Sequence, residues 1–218
     1  MASRGKSAEP RRPAARLYLV TPQSPAALAE RLSETLDAAD IAAVLLRLPA
    51  ADGRSRINHA KALAPIVQGK GAALLLDGDA EIAARAGADG AHLTGLAAFE
   101  AGLAALKPER IAGCGGLRTR HDAMLAGERG ADYVMFGEPD ERGHRPAFEA
   151  IAERVAWWAQ VFEVPCVGFA GGLDEVEPLA AAGADFVAVG ECIFADARGC
   201  AAAIAEAAQR LAVAEPVT

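Results

Sequence analysis

Apolar residues along this chain gather in short, nearly unbroken runs such as LYLV, AAVLL, ALLL, GAHL, IAGC, YVMF, VPCVGF and FVAVG. Between them, apolar positions recur every three or four residues. Runs of four to eight bounded by Gly or charged residues read as buried strands, and the intervening spacing reads as helices. The pattern predicts strands near 16–20, 42–48, 71–77, 90–94, 110–115, 133–138, 164–170 and 186–193. Three times, at 87, 130 and 183, a helical stretch closes on Gly-Ala-Asp and passes directly into a strand. A glycine helix stop, a short loop and a β-run form one unit, written three times. Ser24-Pro25 reads as N-cap and first helical residue ahead of Leu28, Leu32 and Leu36. Phe148, Ile151, Val155, Trp158 and Phe162 make an apolar stripe that assigns Trp158 to the core.

Strands that are apolar on both faces, each followed by a helix, require a parallel sheet covered on both sides. Eight of them predict an α/β fold, a single compact (β/α)8 TIM barrel with short loops; a doubly wound open sheet is the alternative. The chain then divides into a disordered basic leader over 1–15, the barrel over 16–214 and a tail over 215–218.

Composition narrows the class. With 218 residues, 52% apolar and 23% charged, there is material for one core and none for a second domain. No apolar run reaches the roughly 18 to 20 residues of a membrane span and no signal peptide opens the chain, so the expectation is a cytoplasmic protein without a membrane partner. The net charge of −7 conceals a basic start, residues 1–16, in which Arg4, Lys6, Arg11, Arg12 and Arg16 face Glu9 alone. The body is therefore the more acidic, which argues against a nucleic-acid partner. Cys114, Cys166, Cys192 and Cys200 show no C-x-x-C spacing, and the first three fall in strand-like runs. They read as small buried hydrophobes rather than zinc ligands or a disulfide framework.

In a barrel of this kind the chemistry belongs to the loops after the strands, and the loops after the seventh and eighth commonly hold phosphate. The first of these is GFAGGLDE, with Gly171 and Gly172; the second opens with Gly190 and Glu191. Glycines at helix N-termini offer bare backbone N–H groups to a dianion, so Gly171, Gly172, Gly190 and Glu191 are the expected phosphate-binding residues.

From LYLVTP at 17–22 through GADGAHL, IAGCG, GADYVMFG and VPCVGFAGGL to GADFVAVGECIF, the chain resembles thiamine phosphate synthase and its relative thiazole tautomerase. The resemblance implies a thiazole phosphate as ligand, held by the last two loops. In the synthase reaction the thiazole nitrogen attacks a pyrimidine whose diphosphate leaves with the help of Mg²⁺. This sequence departs from the motifs that serve that step. The family's Gln-x-Arg-x-Lys at the second strand is Leu45, Arg47 and Pro49; its Asn-Asp-Arg after the third is Asp77, Gly78 and Asp79. A second aspartate position is Ala97, the Thr-Lys-Lys-like segment after the sixth strand is EPDERGHRP, and the serine after the fifth is Gly115. The tautomerase branch places its acid/base histidine where this chain has Glu138.

Glu138 and Arg47 are accordingly the catalytic candidates, with Glu138 expected to have a raised pKa in a partly dry mouth. A solvent-facing loop carboxylate is the alternative for Glu138. Asp77 and Asp79 are weak candidates for a metal and read better as a helix cap and first-turn acid. His59 and His121 read as helix-surface residues, His144 as a loop residue and His92 as a core histidine of the fourth strand. No cofactor is required by the sequence, and Mg²⁺ enters only if the synthase reaction is retained. Three functions follow: an active synthase, a proton-transferring isomerase on a thiazole phosphate, or a catalytically silent barrel that binds a phosphorylated ligand or a partner. The oligomeric state is open.

Overall fold

The computed structural model describes residues 13–23, 27–49, 51–140 and 142–214. The Ser24-Pro25 cap and the first twelve residues of the leader lie outside them. Among the described residues, strands β1 (Arg16–Val20), β2 (Ile41–Leu46), β3 (Ala73–Asp77), β4 (Gly90–Thr94), β5 (Ile111–Gly115), β6 (Tyr133–Phe136), β7 (Cys166–Phe169) and β8 (Phe186–Val189) pair in chain order. The barrel closes through parallel pairing of β1 with β8, as in Leu17 opposite Val187. Helices α1 (Leu28–Ala38), α2 (Gly53–Gln68), α3 (Ala80–Ala86), α4 (Leu96–Leu106), α5 (Arg120–Glu128), α6 (Phe148–Val161), α7 (Val176–Ala181), α8 (Glu191–Phe194) and α9 (Cys200–Val213) follow the strands.

The Gly-Ala-Asp repeat has a physical use for each residue. Gly87, Gly130 and Gly183 take positive φ of 76°, 93° and 99°, which a side chain would disfavour, and so end the helices. The aspartate after each then reaches back one strand. Asp89 accepts from Leu74 N at 2.7 Å, Asp132 from Ala112 N at 2.7 Å and Asp185 from Cys166 N at 2.8 Å. Each satisfies a backbone donor near the start of β3, β5 or β7.

Side chains alternate between two apolar layers. Leu17, Leu19, Val44, Leu46, Leu74 and Leu76 pack outward against the helices, whereas Tyr18, Val20, Leu45, Leu75, Tyr133 and Met135 fill the barrel interior. Trp158 is fully buried in the outer layer and donates from Nε1 to Val164 O at 2.7 Å. Several strands are shorter than expected by about two residues at an end, and the largest departure is at β8, which ends at Val189 with Glu191–Phe194 a helical turn. Cys192 therefore lies in α8 rather than in a strand. Four residues of apolar run carry no periodicity that separates the two. All four cysteines are free thiols, and burial pushes that of Cys114 up to about 12.

Candidate active site

The C-terminal ends of β4, β5 and β6 build the best-defined polar cluster. His92 points into the barrel from β4 and is fully buried. Strand alternation brings Tyr133 and Met135 inward on β6 and would send residue 138 outward. Gly137, with φ of 93°, breaks that alternation and Glu138 folds back over the barrel. Its Oε1 comes to 2.9 Å from His92 Nε2, and its Oε2 accepts from Gly116 N at 3.1 Å. Nε2 sits at ion-pair distance but off the direction of a well-formed hydrogen bond. His92 Nδ1 lies 2.9 Å from Tyr133 Oη, which lies 2.9 Å from Tyr18 Oη. In the imidazolium form Nδ1–H donates to Tyr133, which can donate in turn to Tyr18.

Two glycines of β5 make the room. A side chain at 113 would run into the Tyr133 ring. One at 115 would stand 2.7 Å from His92 Cε1 and closer still to Glu138 Oε2. Position 115 admits no side chain because the Glu138 carboxylate occupies that space.

The electrostatics follow from the contact. Burial works against a charged His92, but the Glu138 carboxylate beside it holds its pKa above the ordinary 6.5. Burial likewise works against ionised Glu138, yet His92, the Gly116 N–H and Arg47 bring its pKa below the ordinary 4.5. The raised carboxylate pKa expected from sequence is therefore corrected to a lowered one, because the cluster supplies a counter-ion and a donor that outweigh desolvation.

Arg47 follows β2, and its Nε donates to Asp77 Oδ2 at 3.1 Å. Asp79 caps α3, accepting from Ile82 N at 2.8 Å, and its other oxygen takes Arg56 Nη1 at 2.9 Å. These carboxylates do not fit the Mg²⁺ that the resemblance implies. Both are held by arginines, and no cluster of three metal-binding side chains forms among the described residues.

Across the mouth, Gly171 does not present a free donor. Its N–H is bonded to Glu175 Oε2 at 2.7 Å, and that carboxylate pairs with Arg145 at 2.9 Å. A methyl at 171 would lie 3.1 Å from Arg145 Cζ, so this glycine admits the guanidinium. Gly172 precedes the 3-10 turn Leu173–Glu175, and Gly190 precedes α8, packed against Val20 of β1. Glu191 is exposed as the first residue of α8.

The model of the family described as thiamine monophosphate synthase matches residues 17–193. The chain belongs to this family. A thiamine-phosphate synthase of Rhodospirillum centenum is 39% identical over 196 residues, covering 88% of this chain and 95% of that one. A thiamine-phosphate synthase of Hyphomonas neptunium is 36% identical over 211 residues, covering 91% and 94%. Among solved structures, thiamine phosphate pyrophosphorylase from Pyrococcus furiosus superposes with a TM-score of 0.75 at 20% identity, covering 90% of this chain and 95% of that one. The 3-hexulose-6-phosphate synthase of Salmonella typhimurium gives 0.70 at 19% identity, covering 92% and 100%. Both likenesses show the fold.

Sequence reasoning selected Arg47 and Glu138 from this family member and placed them at the same barrel mouth. It did not find Arg145, Glu175, Tyr18 or Tyr133 as polar partners. Gly137 was the available signal for Glu138, since glycine directly after a strand permits the chain to re-aim the next side chain. No helix among the described residues is long and apolar enough to cross a membrane.

Proposed function

We propose that this family member binds a phosphorylated small molecule such as a thiazole phosphate and transfers a proton on it through Glu138, rather than expelling diphosphate. The observation that carries this reading is the Glu138 to His92 contact at 2.9 Å in the space left by Gly115. The carboxylate lies nearest the mouth, with a side chain 10% exposed, and the imidazole lies fully buried behind it. Glu138 is thus a base kept ionised in the neutral range, and His92 fixes its position. It takes a proton from one ring atom of the ligand and returns it to another as the double bond shifts. Such a step leaves no fragment and needs no cation for a leaving group.

Departure of diphosphate asks for positive charge that this mouth has already used. Arg47, Arg56 and Arg145 are each paired with a carboxylate, Asp77, Asp79 and Glu175. A lost charge-stabilising contact costs about 3 kcal/mol in a catalytic site, so two independent losses slow the step by roughly 10⁴. The names of the curated relatives favour the synthase reaction as the second reading.

One experiment separates them. Purified protein is given thiazole phosphate in D₂O, and ring deuteration and isomerisation are followed by NMR. A parallel sample receives the pyrimidine diphosphate and Mg²⁺ and is assayed for thiamine phosphate. Proton exchange that disappears in Glu138→Gln is expected, with no thiamine phosphate at ordinary rates. Synthase turnover of about 1 s⁻¹ or more would overturn the proposal.

A further inference from the structure

We propose that Glu175 is an intramolecular stand-in for a phosphate monoester, and that Arg145 takes the phosphate when Glu175 swings away. The inference rests on reading the mouth as a phosphate-ligand site and adds to it a recognising cation and a built-in competitor.

Arg145 comes from the loop after β6, outside the two loops expected to hold phosphate. Its Nη1 donates to Glu175 Oε1 and Oε2 at 3.0 and 2.9 Å, and its Nη2 donates to Oε2 at 2.9 Å. Two further bonds, Nη2 to Phe169 O at 2.9 Å and Nε to Gly137 O at 3.3 Å, tie the guanidinium to the ends of β7 and β6. Those carbonyls hold the arginine whether or not the carboxylate is present. Glu175 Oε2 accepts in addition from Gly171 N at 2.7 Å. A planar fork and a backbone N–H converging on the oxygens of one anion is the donor set that also suits phosphate. The carboxylate belongs to the turn Leu173–Glu175 after β7. The pair is not sealed in, with side chains 22% and 17% exposed.

A dianion cannot share these donors with Glu175, because two negative groups would then meet at one guanidinium. Glu175 therefore leaves when phosphate arrives, turning about its own side-chain torsions. Phosphate binds only to the fraction of molecules in which Glu175 has released its donors, and its apparent affinity falls in proportion. A release fraction near one-tenth corresponds to a loss of about tenfold.

The test is a titration of the full ¹⁵N-labelled chain with inorganic phosphate, following the Gly171 amide and the Arg145 Nε–H resonance. Glu175→Gln, which preserves size but removes the charge, is expected to tighten binding about tenfold at the same two resonances. Arg145→Gln is expected to abolish the saturable shift at Gly171. If the wild type shifts Gly171 and Glu175→Gln binds no tighter, the stand-in inference is overturned while phosphate binding survives. If neither chain shifts these resonances, both the inference and the phosphate reading fail. Should Glu175→Gln not fold, Glu175→Asp serves, its carboxylate being one methylene short. Tighter phosphate binding then supports the exchange, and unchanged binding overturns it.

Discussion

Replacing Gly115 by alanine tests the active-site geometry with a single methyl group. The added carbon would stand 2.7 Å from His92 Cε1, against the roughly 3.5 to 4.0 Å of ordinary carbon contact. Glu138 Oε2 and His92 Nε2 are nearer still. His92 is fully buried on β4 and held at Nδ1 by Tyr133, whereas Glu138 borders the mouth, so the carboxylate moves first. Moving by about an ångström breaks its bond to Gly116 N and its contact with His92. Overpacking costs about 1 to 3 kcal/mol and a buried group deprived of its partner costs about 1 to 3 kcal/mol more. The expected destabilisation is about 2 to 6 kcal/mol, or very roughly 4 to 24 °C in Tm for a domain of this size. Chemical denaturation of the single variants and of Gly115→Ala with Glu138→Ala gives a double-mutant cycle. Removing the carboxylate relieves the tighter of the two clashes and leaves the imidazole room to shift away from the methyl. The double variant should therefore be more stable than the sum of the two single losses by about 1 kcal/mol or more. A Gly115→Ala protein within about 0.5 kcal/mol of wild type, with the His92 titration unmoved, would refute the packing argument.

Stability should depend on pH through the same pair. The raised pKa of His92 contributes stability in full below 6.5 and loses it as pH rises through the folded value, while the lowered pKa of Glu138 contributes in full above 4.5 and loses it as pH falls through the folded value. The difference between wild type and Glu138→Gln should thus be largest between 4.5 and 6.5 and shrink on both sides, as measured by urea denaturation across pH. Tyr133→Phe removes the hydroxyl between His92 Nδ1 and Tyr18 Oη, leaving two buried polar groups unpaired. A loss of about 2 to 4 kcal/mol is expected, and one below about 0.5 kcal/mol would deny that the hydroxyl bridges them.

The barrel was legible because its signals are local. Each strand is a continuous apolar run, and each Gly-Ala-Asp records a helix end and a strand start within three residues. The aspartates of that repeat were not interpretable in the same way, since their acceptors serve Leu74, Ala112 and Cys166 on the neighbouring strand. The same distinction divides the candidate site. That Arg47 and Glu138 stand at C-terminal strand ends is a statement about chain position and could be read directly. Their partners depend on barrel register: β4 and β5 bring His92 opposite Gly113, and β5 and β6 bring Gly113 opposite Tyr133. No sequence spacing expresses that juxtaposition.

The glycines show most clearly where reading from the chain runs out. Gly115 looks from sequence like a lost serine and Gly171 like a bare backbone donor, but both are defined by what lies against them. At 115 the neighbour is the Glu138 carboxylate, and at 171 it is the Arg145 guanidinium. The residue at one strand end thus depends on the residue at the next. Glu138 requires Gly115 for room and Gly137, at φ 93°, for direction. A serine at 115 alone would press its Cβ against Glu138 just as alanine does, so a side chain there requires both positions to change together. Arg47 would still face Asp77. The residues of this mouth therefore form coupled sets, Glu138 with Gly115 and Gly137 and Arg145 with Glu175 and Gly171, and changing one member alone should lose stability.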